Sequence, residues 1–353
     1  MKTILHIGAD KCGSSSFQKS LSINKNLKNI HGELNKYAVI RNNKIIFQPK
    51  IIELSRNSLC QSLTSDNAEK IYNYSDSVRK NIINTIAKEK NNLIFSCEGW
   101  LRVNNKNYIS NLIDVVNPDK SSRKLEIICF LRAPVYWINA AWWQWGIWDK
   151  NNKDFNLWLQ KHIRYTDWFR YLYRYKEIAK NADILVFPFK DDINKTFFKN
   201  QGIINYKEVK KINKSLPIEV LKLYLYNRDH RPSPHESSND FLISNLVSSS
   251  SYNYSQFPWI LSQQNVKDIL NTTNKQIKSL ISFMDPINAQ TIINDPAWWD
   301  IDYYKDMEIS DPYLSNIFIE KDYLKLSSDL LLKLNKAIKI LGQNNLIDEF
   351  LND

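Results

Sequence analysis

The sequence predicts an α/β chain: a parallel sheet flanked by helices, followed by a helical C-terminal elaboration. Four short apolar runs lead there: TILHIG (3–8), NLIFSC (92–97), LEIICFL (125–131) and ILVFPF (184–189). Strands buried on both faces read as such continuous apolar runs. Helical patterns separate the four, and strands alternating with helices imply parallel crossover units. Ligands of such sheets sit at the carboxyl ends of the strands.

Taken in order, TILHIG runs into a helix over SSSFQKSLSINKNL. YAVIRNNKIIF (37–47) reads as a small hairpin closed at Asn42-Asn43, set beside the sheet as an ornament. DNAEKIYNYSDSVRKNIINTIAKEK is the helical approach to NLIFSC. After LEIICFL, Pro134 is well placed for the first turn of a helix over PVYWINAAWWQWGIW. Further on, VKDILNTTNKQIKSLISFM and SSDLLLKLNKAIKIL are helical. Between the halves, 227–258 is polar and Ser-rich, with Pro232 and Pro234. It reads as a surface excursion, a linker or a substrate-covering loop. No repeat is visible. The expectation is one domain over 1–353, with a core over about 1–220 and a helical region over about 221–353.

Composition excludes more than it selects. Apolar residues make up 43% and charged residues 24%, the balance of an ordinary globular protein. No apolar run approaches the ~18 residues of a membrane-spanning helix. MKTILHIGADK opens like a signal peptide, but His6, Gly8, Asp10 and Lys11 break the apolar stretch too early. Cys12, Cys60, Cys97 and Cys129 show no C-x-x-C spacing, which argues against a zinc site or a disulfide framework. A cytoplasmic location is therefore expected. The net charge of +11 suits an anionic partner. The densest basic tract, KEVKKINK (207–214), is short, so no nucleic acid is expected as partner.

The chemistry is expected at the strand ends. In ILHIGADKCGSSSFQ, Gly8 and Gly13 stand as in the loop G-x-x-x-x-G-K-[ST], but Ser14 follows Gly13 and the lysine is Lys11. The loop uses two of only seven glycines and opens a helix with Ser14-Ser15-Ser16. Backbone N–H groups and a positive helix end are then available to an anion. The alternative is a plain strand-to-helix turn capped by Ser14 or Ser15. Two further residues end strands. Arg132 follows LEIICFL and suits phosphate through its planar fork, or else caps a strand. Glu98 follows NLIFSC and is either a general base or a helix cap before Gly99-Trp100.

LHIGADKCGSSSFQ resembles the 5′-phosphosulfate loop of sulfotransferases, particularly bacterial and carbohydrate-acting ones, which read H-I-G-x-x-K-[ST]-G-[ST]-[ST]. Lys11, Gly13, Ser14 and Ser15 match, and Cys12 stands where Ser or Thr is common. The resemblance implies a P-loop NTPase-like fold, the donor 3′-phosphoadenosine-5′-phosphosulfate (PAPS), and no metal. It extends to CFLRAPVYWINAAWWQ, where Arg132 would hold the 3′-phosphate and Gln144 is suitably placed. Ala140 replaces the family serine, and Asn139 beside it points about 100° away on a helix. Loss of that hydroxyl costs about 1.5–3 kcal/mol. DWFRYLYRYKEIAKNADILVFPFKD resembles the family's next helix and strand, with Lys190 replacing an acidic residue. KINKSLPIEVL resembles its N-x-S stretch, implying nucleotide contacts from Asn213 and Ser215. The similarity covers roughly residues 1–220.

The implied reaction moves a sulfuryl group from PAPS to a hydroxyl, most simply that of a glycan. Glu98 takes the acceptor proton, Lys11 stabilises the leaving phosphate of PAP, and Cys12, Gly13, Ser14–Ser16 and Arg132 hold the nucleotide. Asp10 would repel phosphate and is expected to face acceptor or solvent. No Asp interrupts LEIICFL or NLIFSC as a magnesium ligand would. Five of the eleven tryptophans lie in WINAAWWQWGIW. Trp137, Ala141, Trp145 and Trp148 form a helical stripe expected to pack the core. Trp142 and Trp143 fall off it, near Arg132's end of the helix, and read either as further packing or as ring faces offered to a sugar. DPAWWDIDYY (295–304) is a second aromatic cluster. His6 is expected to be a structural hydrogen-bonder, and His230 and His235 to be solvated. The other readings are a P-loop kinase or NTPase, and a non-catalytic PAP- or glycan-binding relative.

Overall fold

A computed structural model describes residues 1–56, 62–149, 154–189, 192–209, 218–226 and 258–310, with single positions at 216, 228, 231, 233, 240 and 327. The chain divides into two compact units. One comprises Met1–Asn213 and Leu261–Met307; the other comprises Lys214–Ile260 and Glu308–Asp353.

The first unit is mixed α/β, with a mostly parallel sheet flanked by helices. Its elements are β1 (Lys2–His6), α1 (Ser14–Ile23), β2 (Leu27–Lys28), β3 (Leu34–Arg41), β4 (Lys44–Phe47), α2 (Lys50–Arg56), α3 (Ala68–Tyr72) and α4 (Asp76–Ala87). Then come β5 (Asn92–Ser96), α5 (Lys106–Val116), β6 (Lys124–Leu131), α6 (Pro134–Gln144), α7 (Phe155–His162), α8 (Trp168–Ile178), β7 (Asp183–Pro188) and α9 (Ile193–Asn200). The sheet order is β2-β3-β5-β1-β6-β7, with β4 on β3. β3, β5, β1, β6 and β7 run parallel; β2 and β4 are antiparallel to β3. All four apolar runs are strands, and Ile4, Leu5, Ile94, Phe95, Ile127 and Ile128 are wholly buried.

The hairpin at Asn42-Asn43 is present, and both asparagines are left-handed (φ 50° and 64°), as a two-residue turn of matching twist requires. It is not an ornament. Its first strand, β3, pairs with β5 through Asn35–Tyr37 and belongs to the main sheet. Tyr37, Ala38, Val39 and Ile40 are buried in succession, the signature of a strand covered on both faces.

Helical periodicity accounts for the flanking layers. In α5, Ile109, Leu112, Ile113 and Val116 share one buried face. The long helix α11 (Gln263–Ile281) buries Val266, Ile269, Leu270, Thr273, Ile277 and Leu280 at the same spacing. It starts with a Ser262/Asn265 capping box and packs on α8 and α6. α12 (Pro286–Ile293) follows it. Part of the expected C-terminal elaboration thus belongs to the sheet-bearing unit. No described helix is long and apolar enough to cross a membrane.

In the second unit, α10 (Ile218–Tyr226) buries Val220, Leu221 and Tyr224. Arg231, 2% exposed, pairs with Asp240 at 2.8 Å. Trp259 and Ser310 exchange two hydrogen bonds. SSDLLLKLNKAIKIL and nearly all of 227–258 lie outside the described residues.

Candidate functional site

Parallel strands deliver their following loops to one edge. β1 is central, with β5 on one side and β6 on the other. The loops after these strands are knitted together: Ile7 N–H donates to Ile128 O (3.0 Å) and Leu101 N–H to Ile7 O (2.9 Å). This brings Lys11, Glu98 and Arg132 to the same end of the sheet.

The first loop is shaped by three left-handed residues: Gly8 (φ 51°), Lys11 (φ 65°) and Gly13 (φ 83°). Gly13 also has no room for a side chain, because a Cβ there would lie 2.9 Å from Phe189 and 3.1 Å from Ile193. Gly8 lies against the Glu98 backbone, where a Cβ would approach Cα to 3.0 Å. Gly13, not Ser14 or Ser15, is the N-cap of α1, and no side chain caps the helix. Its carbonyl accepts the first helical bond, from Phe17 N–H at 3.1 Å. The N–H groups of Ser14, Ser15 and Ser16 therefore have no helical acceptor. Left-handed Gly13 passing directly into right-handed Ser14 at the helix start forms a concave, anion-attracting nest.

Around the loop, each expected residue has a definite place. Ser14 is buried, its hydroxyl donating to Ala9 O at 3.4 Å, whereas Ser15 and Ser16 are half-buried. The Cys12 thiol is buried against Cys129 and the Arg132 backbone N–H, and burial pushes its pKa up. Only the Cys12 backbone is left for a ligand. Lys11 donates its backbone N–H to Glu98 Oε1 at 3.2 Å. Its Nζ lies 5.8 Å from the centre of the Trp145 ring. Arg132 stacks over Tyr136 (5.5 Å) and Phe189 (5.8 Å), so Phe189 touches both Arg132 and the space beside Gly13. Tyr136 in turn meets Tyr303 and Tyr304 of the 295–304 cluster.

Asp10 is turned away from solvent: it is 8% exposed and ion-paired with Arg102. Burial raises its pKa, while Arg102 and Lys11 pull it down. Its carbonyl also accepts from the Trp137 indole N–H at 2.7 Å, which fastens the loop to α6. Arg102 lies between Trp145 (5.6 Å) and Tyr165 (5.1 Å). Glu98, half-buried beside this cluster, is raised to about 7, first by burial and then by Asp10; Lys11 and Arg102 oppose the shift.

The tryptophans are redistributed too. Trp142 and Trp143 stand at the far end of α6 from Arg132 and are 1% and 5% exposed. Trp142 packs edge-on against Phe155 and Trp158. A helix apolar all round is buried all round, and α6 is one. Trp145, assigned to the core stripe, is instead a half-buried ring facing Lys11 and Arg102.

At position 140 a buried Ala140 stands beside a buried Asn139. His6 is wholly buried, with Nδ1 2.8 Å from Ser96 Oγ, and burial lowers it to about 3, so it is neutral. Asn213, Ser215, Lys190, His230 and His235 lie outside the described residues. Among the described residues no cluster of three or more His, Cys, Asp or Glu is arranged for a metal ion.

No model of a known protein family matches this chain, and no curated protein does. Three side chains of the site, Arg102, Tyr165 and Phe189, were not singled out from the sequence, and Trp137 and Trp145 were assigned only to the core stripe. Arg102 alone carried a local signal, four residues after Glu98 on the same loop. The others are brought in by packing.

Proposed function

We propose that this chain is a PAPS-dependent sulfotransferase with a P-loop-like nucleotide site, acting on a carbohydrate hydroxyl. The observation that carries the reading is the union of Lys11 and Glu98. A left-handed lysine inside an uncapped, nest-forming loop is hydrogen-bonded through its backbone to a carboxylate raised to about 7. A kinase loop would carry its lysine after Gly13, where this chain has Ser14.

In the proposed reaction, the acceptor hydroxyl attacks sulfur in line. Its proton passes to Glu98, the new S–O bond forms, and the bond from sulfur to the bridging oxygen breaks. The electron pair leaves with the 5′-phosphate of PAP. The Lys11 ammonium and the N–H groups of Ser14–Ser16 stabilise the growing charge. Arg132 holds the 3′-phosphate by charge-assisted bonds. Arg102 neutralises Asp10, keeping that carboxylate from repelling the donor and from raising Glu98 further. A base near neutrality is ionised in a useful fraction and still accepts a proton. Asn213 and Ser215 are proposed as further nucleotide contacts.

The test is transfer from radiolabelled PAPS to a panel of polysaccharides. Label is expected in an acceptor polymer, without added divalent metal. Absence of label from every acceptor, with PAP bound normally, would favour a non-catalytic relative.

A further inference from the structure

α8 and α11, with the start of α5, line an open surface groove of about 460 Å³, apart from the Lys11–Glu98 site. Asp167, Arg170, Arg174 and Glu177 repeat at helical spacing along its α8 wall, about 15 Å of groove. The charges do not cancel. Glu177 is paired with Lys106 at 3.0 Å, and Asp167 caps α8 by accepting the Arg170 N–H. Among the described residues, Arg170, Arg174 and Lys275 make no ion pair. The same groove is lined by Tyr173, 48% exposed, with Phe169 next to it.

We infer that this groove binds an acidic oligosaccharide, the anionic part of a polymeric acceptor. Guanidinium forks match carboxylate and sulfate oxygens in pairs. An exposed tyrosine ring in the same groove offers a face to the C–H side of a sugar. The groove touches the loop after β5: Arg174 stacks on Tyr171 (5.6 Å) and hydrogen-bonds Asn104, two residues from Arg102. A chain held here thus lies beside the loop that carries Glu98. As a statement about the acceptor this rests on the sulfotransferase reading; as a binding site it stands without it.

The experiment measures binding of a fluorescent, fully sulfated uronate–glucosamine octasaccharide to the whole chain. Competitors are its desulfated N-acetylated form, poly(U) and poly-glutamate. Arg170→Ala/Arg174→Ala is expected to weaken binding at least about tenfold, since two charged hydrogen-bonding groups are lost. Lys80→Ala/Lys88→Ala removes equal charge from an exposed stretch elsewhere and is expected to change binding less than about twofold. An unaltered thermal shift with PAP shows that the double variant is folded. Equal binding by both double variants would overturn the inference, as would competition by poly(U) or poly-glutamate at the same concentration. If PAP binds to neither protein while the octasaccharide still depends on Arg170 and Arg174, the groove stands and the transferase reading falls.

Discussion

Glu98→Gln is expected to slow sulfuryl transfer by about 10²–10⁴-fold, the usual contribution of a positioned general base. PAP affinity should stay near that of the wild type. Glutamine is nearly isosteric, and its carbonyl still accepts the Lys11 N–H, so the loop keeps its shape. Because burial and Asp10 raise Glu98 to about 7, the wild-type rate should climb with pH through about 7 and then level off. The residual rate of the variant should be flat there. The same shift sets a stability signature. The folded pKa lies above the usual 4.5, so the folded protein holds this proton more tightly than the unfolded chain. Its stabilising contribution is full below about 4.5 and is lost as pH rises through about 7. The melting temperature of wild type, relative to Glu98→Gln, should therefore fall between about pH 5 and pH 8. Undiminished transfer by the variant would remove Glu98 as base.

Lys11→Ala is expected to lower transfer by about 10²–10³-fold, as removal of a charged stabiliser of the leaving group does. A second substitution separates charge from shape. Lys11 is left-handed (φ 65°), a conformation that costs an L-residue about 1–2 kcal/mol and a glycine almost nothing. Lys11→Gly thus relieves backbone strain while removing the same ammonium. Both variants should be equally slow, and Lys11→Gly should melt higher than Lys11→Ala. Recovery of transfer in the glycine variant would assign Lys11 a conformational role instead.

What the sequence disclosed was what neighbouring residues decide. Apolar runs marked the strands because parallel strands are covered on both faces. Asn42-Asn43 marked its turn because few residues accept left-handed φ. The first loop was legible for the same reason, since Gly8 and Gly13 stand where backbone geometry excludes other residues. The ion pair of Asp10 was not legible because its partner, Arg102, arrives on the loop after β5, and nothing in ILHIGADK signals that pairing. Trp145 was misjudged, and Trp142 and Trp143 were left open, because periodicity shows which residues share a face, not how many faces are covered. α6 is enclosed on all sides, and its open ring lies just past its end. Tyr165 and Phe189 come to the site from separate parts of the chain, so only packing reveals them.

The central claim is that the loop after β1 holds a phosphosulfate nucleotide without help from a divalent ion. A thermal-shift titration of the whole chain with PAP in EDTA, run beside one with ATP and magnesium, tests it most directly. The account predicts a melting temperature that rises with PAP concentration, as mass action requires of a ligand bound only by the folded state. No rise with PAP, together with a rise with magnesium–ATP, would contradict it.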